Sequence, residues 1–217
     1  MLGFIISSIP ALIALLITII FYNRLRPGWL RYFTYILLFL LISDYSAFLY
    51  SRITHNPNHF IINIVLLINF PIYFVIFYKT LQKQILKNIV LIFSAVFLVF
   101  YLYNILYLQG FSSINSYTYS VGSIILIICC LLYFSQVFVS EKEINYFTIP
   151  MFWISTGLMF YYAVNLIYNS LLNYIIDKNI DPHGNIFAVF MTVSNLILYG
   201  LFSVGFLCNQ KWKVQKS

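Results

Sequence analysis

The sequence predicts an all-α integral membrane protein, a bundle of seven transmembrane helices, and three observations carry that expectation. Of the 217 residues, 62% are hydrophobic and only 8% charged, against roughly a quarter charged in an ordinary soluble domain. Twelve Lys or Arg and five Asp or Glu side chains cannot cover the outside of a soluble fold of this length. The apolar residues gather into seven runs, each near the ~20 residues that a helix needs to cross a bilayer. The basic residues lie between those runs and alternate in density from one break to the next.

The first run, Phe4 to Tyr22, has no basic residue ahead of it and Arg24 and Arg26 behind it. That is the reverse of a secretory leader, and no small-residue cleavage site precedes Asn23, so an uncleaved span is expected. The second run, Leu30 to Tyr50, carries Asp44, and the third, Phe60 to Tyr78, carries Asn63, Asn69 and Pro71. Asn104 lies in the fourth, Ile89 to Leu108; the fifth, Tyr117 to Val139, holds Ser120, Ser123, Cys129 and Cys130. The sixth, Ile149 to Leu172, contains Asn165, and the seventh, Ile186 to Cys208, contains Asn195. Pro10 and Pro71 remove backbone donors inside their spans and are expected to kink them. Trp29, Trp153 and Trp212 fall near same-side ends of three spans, as interfacial anchors do. The polar breaks are too short to fold alone, so residues 1–217 are expected to form one transmembrane domain.

Orientation follows from the positive charges. Arg24, Arg26 and Arg31 follow the first run, Lys79, Lys83 and Lys87 the third, Lys142 the fifth, and Lys211, Lys213 and Lys216 the seventh. Only Arg52 and Lys178 lie in the alternate breaks. The positive-inside rule then puts the amino terminus outside and the carboxyl terminus in the cytoplasm, in a multi-pass protein of the plasma membrane, the inner membrane of a bacterium. A net charge of +7 would suit nucleic acid only if it formed one water-exposed patch. Divided among loops it does not, so nucleic acid is not an expected partner and the lipid bilayer is. Each Lys or Arg near an anionic lipid surface contributes about 1 kcal/mol of attraction.

Asp44 is the one acidic or basic side chain deep in a span, where a charge costs about 3 kcal/mol on insertion scales. With the spans so oriented, Asp44, Asn63, Asn69, Asn104, Asn165 and Asn195 all fall at mid-depth or toward the outside. Tyr45, Tyr103, Tyr107, Tyr161, Tyr162 and Tyr168 are close to them in sequence. The opposite half is almost wholly apolar. Polar groups within a bilayer must face one another or water, which leaves two readings open. They bond helix to helix, or they line an outer cavity whose candidate ligand-binding residues are Asp44, Asn69, Asn104, Asn165, Asn195 and Tyr162.

Catalytic chemistry is not expected. His55 and His59 have the spacing of a helical metal pair, but Pro57 between them favours a turn, and no metal site or cofactor is implied. The seventh run lacks the lysine that a retinal Schiff base requires. There is no phosphate-binding loop and no G-x-S-x-G elbow. The three cysteines have neither metal-type nor C-x-x-C spacing. Asp44 also leaves room for a proton- or cation-coupled carrier, and the whole chain for a structural subunit of a membrane complex.

The run Pro150-Met151-Phe152-Trp153-Ile154-Ser155-Thr156-Gly157, continued by Leu158-Met159-Phe160-Tyr161-Tyr162, resembles the sixth-helix signature of small bacterial seven-helix membrane proteins. The seventh span, passing through Asn209, Gln210 and Lys211 to Trp212, is similar to theirs in ending on a basic tail. That family's helical module resembles the sensory input domains of membrane histidine kinases. The resemblance implies a receptor or sensory accessory protein. Because the chain stops soon after the seventh span, output is expected to pass through a membrane or cytoplasmic signalling partner.

Overall fold

A computed structural model describes residues 2–139, 145–171, 174–175, 178–181 and 184–214, with the side chains of 2–7, 185, 187 and 209–214 outside the description. Seven helices of 19 or more residues account for most of it: α1 Leu2–Ile20, α2 Tyr32–Thr54, α3 His59–Thr80, α4 Gln84–Tyr103, α5 Ser116–Phe138, α6 Pro150–Ser170 and α7 Asn185–Val214. α4 runs on into a π-helical turn, Asn104–Leu108. No strand occurs among the described residues. Six of these helices, α2 to α7, are long and apolar enough to cross a membrane, which makes the fold a multi-pass membrane bundle. The described apolar part of α1 is Ser8–Ile20.

The helix ends follow local chemistry. α6 opens on Pro150 at its first position, where the missing N–H leaves no intrahelical bond unmade. α2 stops at His55, whose φ of 54° is left-handed, and Pro57 two residues later prevents resumption. His55 thus ends α2 and His59 begins α3, so the two share no helix face, and His59 Nδ1 pairs with the Ser112 carbonyl at 3.1 Å. Pro10 and Pro71 both lie within continuous helices.

Neighbour relations arrange α1, α2, α3, α5, α6 and α7 as a closed ring in that order, with α4 outside it against α3 and α5. The most extensive packing is between α6 and α7, where small residues bring the backbones close. A Cβ on Gly205 would lie 2.9 Å from the Pro150 carbonyl oxygen, and one on Gly157 3.3 Å from that of Leu198. This use of small residues is how helices associate where lipid provides no hydrophobic drive. The outside is apolar: Leu106 is 69% exposed and Val99 68%.

The two ends of the bundle differ. At one end the Gln136 side chain of α5 accepts from the backbone N–H of Gln82 at 2.7 Å, closing the α3–α4 junction. Here Arg31 lies over the Tyr22 ring, Lys79 over Tyr32 and Lys87 over Tyr78, and Trp153 Nε1 donates to the Phe147 carbonyl at 2.8 Å. At the other end the α2–α3 and α4–α5 junctions meet through Asn63, whose Nδ2 donates to the carbonyls of Phe111 and Ser113, both at 2.9 Å. Alternate junctions thus segregate to opposite ends. Lys142, Glu141, Glu143, Asp177, His183 and Lys216 lie outside the described residues, as do the side chains of Lys211, Trp212 and Lys213.

Candidate functional site

Each helix that lines the interior at the Asn63 end contributes one stripe of side chains at helical spacing. On α2 the stripe is Leu40, Ser43, Asp44 and Ala47; on α3 it is Ile62, Leu66, Asn69 and Tyr73. α7 adds Met191, Asn195, Leu198 and Tyr199, and α6 adds Tyr161, Tyr162, Tyr168 and Asn169. Steps of three and four residues keep a stripe on one face of a helix, and the four stripes converge on a cavity of about 640 Å³. Ligand sites commonly occupy roughly 300–1,000 Å³. Asn115 and Tyr119 at the start of α5 and Asn179, Asp181 and Gly184 between α6 and α7 complete the wall toward the end of the bundle.

The cavity is closed toward the basic end by aromatic rings. Phe33 packs on Phe202 with centroids 5.2 Å apart and on Phe206 at 5.7 Å, Phe70 packs on Tyr162 at 5.3 Å, and Tyr73 lies 6.4 Å from both Phe33 and Tyr162. All of these side chains are buried. Their edge-to-face and tilted arrangements add dispersion and quadrupole attraction to this aromatic floor.

Above that floor the polar groups are poorly matched to one another. Asp44 has no hydrogen-bond or salt-bridge partner among the described residues; its side chain is exposed and lines the cavity. The hydroxyls of Tyr161 and Tyr199 lie within electrostatic reach of its carboxyl group. Asn69 Nδ2 makes one long bond to the Tyr162 hydroxyl, 3.4 Å, and its Oδ1 has no partner. Both side-chain amide atoms of Asn115 are buried without partners. The Tyr119 hydroxyl lies near those of Tyr161 and Ser123 without reaching bonding geometry. A buried polar group left unmatched costs about 1–3 kcal/mol, so a wall that gathers several is suited to something polar inside it.

Of the six residues expected to bind a ligand, Asp44, Asn69, Tyr162 and Asn195 line the cavity. Asn104 and Asn165 do not. Asn104 is enclosed between α4 and α5, donating to Thr118 Oγ1 at 2.8 Å and Gln109 Oε1 at 3.0 Å. Asn165 donates back to the Tyr161 carbonyl of its own helix at 2.8 Å. Tyr161 and Tyr168 are in the wall, whereas Tyr45, Tyr103 and Tyr107 turn outward, at 57%, 50% and 75% exposure. Sequence reasoning missed Tyr73, Tyr119, Tyr199 and Asn115. Two of them were within reach of it, since Tyr73 and Tyr199 follow Asn69 and Asn195 by one helical turn.

Among the described residues no group of three or more His, Cys, Asp or Glu is placed to hold a metal ion. The cysteines Cys129, Cys130 and Cys208 are free thiols, the first two fully buried. No family model, curated protein or solved structure matches the chain. A functional reading therefore rests on the geometry of the cavity.

Proposed function

We propose that the protein is a seven-helix membrane receptor or sensory subunit of the bacterial inner membrane, binding a small or lipid-borne ligand in the cavity. The cavity mouth and the amino terminus face outside, and the carboxyl terminus faces the cytoplasm. The observation that carries this reading is a cavity that gathers unmatched polar atoms, Asn69 Oδ1, the Asn115 side-chain amide and the Tyr119 hydroxyl, above a floor of packed aromatic rings. Orientation is supported by Arg31, Lys79 and Lys87 gathering at the end opposite the cavity, which the positive-inside rule assigns to the cytoplasm. As a seventh span, the 19 residues of α1 extend about 28 Å, close to the ~30 Å of a hydrocarbon core.

Ligand binding between α2, α3, α6 and α7 acts on both partners of the tightest contact in the bundle, α6 against α7. α7 has 30 residues, about 45 Å of helix, and carries any shift past the membrane to the basic end, where a partner would receive it. Small displacements of packed helices are a common form of such transmission. A carrier that uses Asp44 for ion coupling would also need the aromatic floor to part.

Thermal unfolding of the purified protein and of Asp44→Asn, across ions, lipids and small polar metabolites, tests the reading. Binding to the folded state raises apparent stability by mass action, about 2.7 kcal/mol at a ligand concentration of 100 Kd. A compound that stabilises the parent and not Asp44→Asn supports a ligand site, and net flux of that compound into proteoliposomes would mark a carrier instead. Topology is read separately by reporter fusions at the two termini.

A further inference from the structure

We infer that the ligand of this cavity is a small organic cation, an amine or quaternary ammonium with an apolar body, held by the Asp44 carboxylate among tyrosine rings. The inference rests on the cavity being a ligand site, as proposed above, and adds the sign and shape of what enters it.

Sign comes first. The chain has 12 Lys or Arg against 5 Asp or Glu, yet among the described residues the lining includes Asp44 and Asp181 and no Lys, Arg or His. A basic protein has kept its cations out of the described lining of this cavity. Asp44 has neither donor nor counter-ion there, and a carboxylate at membrane depth is stabilised by a cation or by water. Tyr161 and Tyr199 stand within reach of that charge, and the quadrupole of a tyrosine ring attracts a cation by about 0.5–2 kcal/mol, most where water is excluded.

Shape excludes the simplest cation. A bare metal ion fills a few tens of cubic ångströms at most, far below about 640 Å³, and the acidic cluster that would ligate it is missing among the described residues. The lining also carries apolar side chains, Ile62, Val65 and Leu66 from α3 and Leu40 from α2. The cavity therefore offers apolar surface for a hydrocarbon or aromatic body as well as a carboxyl group for a charged head.

The test labels a cysteine placed in the wall, Asn195→Cys with Cys208→Ser, in the full chain held in nanodiscs. Three methanethiosulfonates are compared: a trimethylammonium-ethyl, a sulfonatoethyl and a neutral methyl reagent, each normalised to its rate with a free thiol. The expected result is a cationic-over-anionic preference of about tenfold, within the range that a focused charge gives to local concentration. Asp44→Asn should reduce that preference severalfold and Asp44→Glu should restore it. Phenyltrimethylammonium should slow the labelling, and 2-phenylethanol should not. A normalised ratio near one with Asp44 present, or equal protection by the alcohol, overturns the cationic ligand while leaving a cavity in place. A cysteine that even the neutral reagent cannot reach overturns the cavity itself. Met191→Cys serves in place of Asn195→Cys if the latter does not fold.

Discussion

On one side of α3, Asn63 is fully enclosed and commits its whole amide: Nδ2 to two loop carbonyls and Oδ1 to the backbone N–H of Asn115 at 3.3 Å. Its own carbonyl accepts the Tyr101 hydroxyl at 3.1 Å. Beside it Asn104 and Gln109 continue the knot to Thr118 and Ser116, so that the α4–α5 junction is fastened to three helices. Within this knot Asn104 Oδ1 is without a partner. Toward the cavity, six residues along the same helix and about 120° around it, Asn69 makes one long bond and leaves its oxygen unmatched. Asp44 and Asn195, which share the cavity, make none among the described residues. Both regions lie toward the same end of the bundle and use the same side chains. The difference teaches that an amide inside the bundle is a packing group where other protein groups are placed to meet it, and part of an unmatched cavity wall where they are not.

Stability measurements can break or sharpen that contrast. The largest loss is expected from Asn63→Ala, which strips donors from two loop carbonyls at once and should lower unfolding free energy by about 3 kcal/mol, read by denaturant unfolding in mixed micelles. Asn104→Ala should cost less, about 2 kcal/mol, because the Gln109 and Thr118 oxygens it abandons retain other routes to partners. Asp44→Asn should leave stability unchanged or raise it by about 1 kcal/mol, since it removes a charge that has no counter-ion. A marked loss there would mean that Asp44 is a packing group. Asn195→Ala should move the midpoint least, within about 0.5 kcal/mol, while impairing any stabilisation that a bound ligand confers. If Asn63→Ala and Asn195→Ala prove equally costly, the division between knot and cavity fails.

Much of the fold was legible before any coordinates. The expected spans agree with the observed helices to within a few residues at most ends, as for Phe60 to Tyr78 against His59–Thr80, or Tyr117 to Val139 against Ser116–Phe138. The largest departures are at the start of α4, which begins at Gln84, and at the far end of α7, which continues to Val214. In both, polar residues extend a helix beyond its apolar stretch, and a hydropathy criterion does not register them. That Asp44, Asn69 and Asn195 lie toward one end of the bundle was legible too, because counting along helices that alternate in direction places them at similar heights.

What the sequence alone determined, then, was composition-driven: an apolar chain divides into bilayer-length helices, and the position of each polar residue along its helix sets its depth. Azimuth was left open. Helices with apolar residues on every face carry little signal for which side meets lipid and which meets the interior, so Tyr45 and Tyr162 looked alike although one is 57% exposed and the other 3%. Only the ring of α1, α2, α3, α5, α6 and α7, with α4 set outside, turned Asn104 toward a loop and Asn195 toward a cavity. The reason is physical: depth is a property of one helix in a membrane, whereas a partner for a buried amide exists only once several helices have packed.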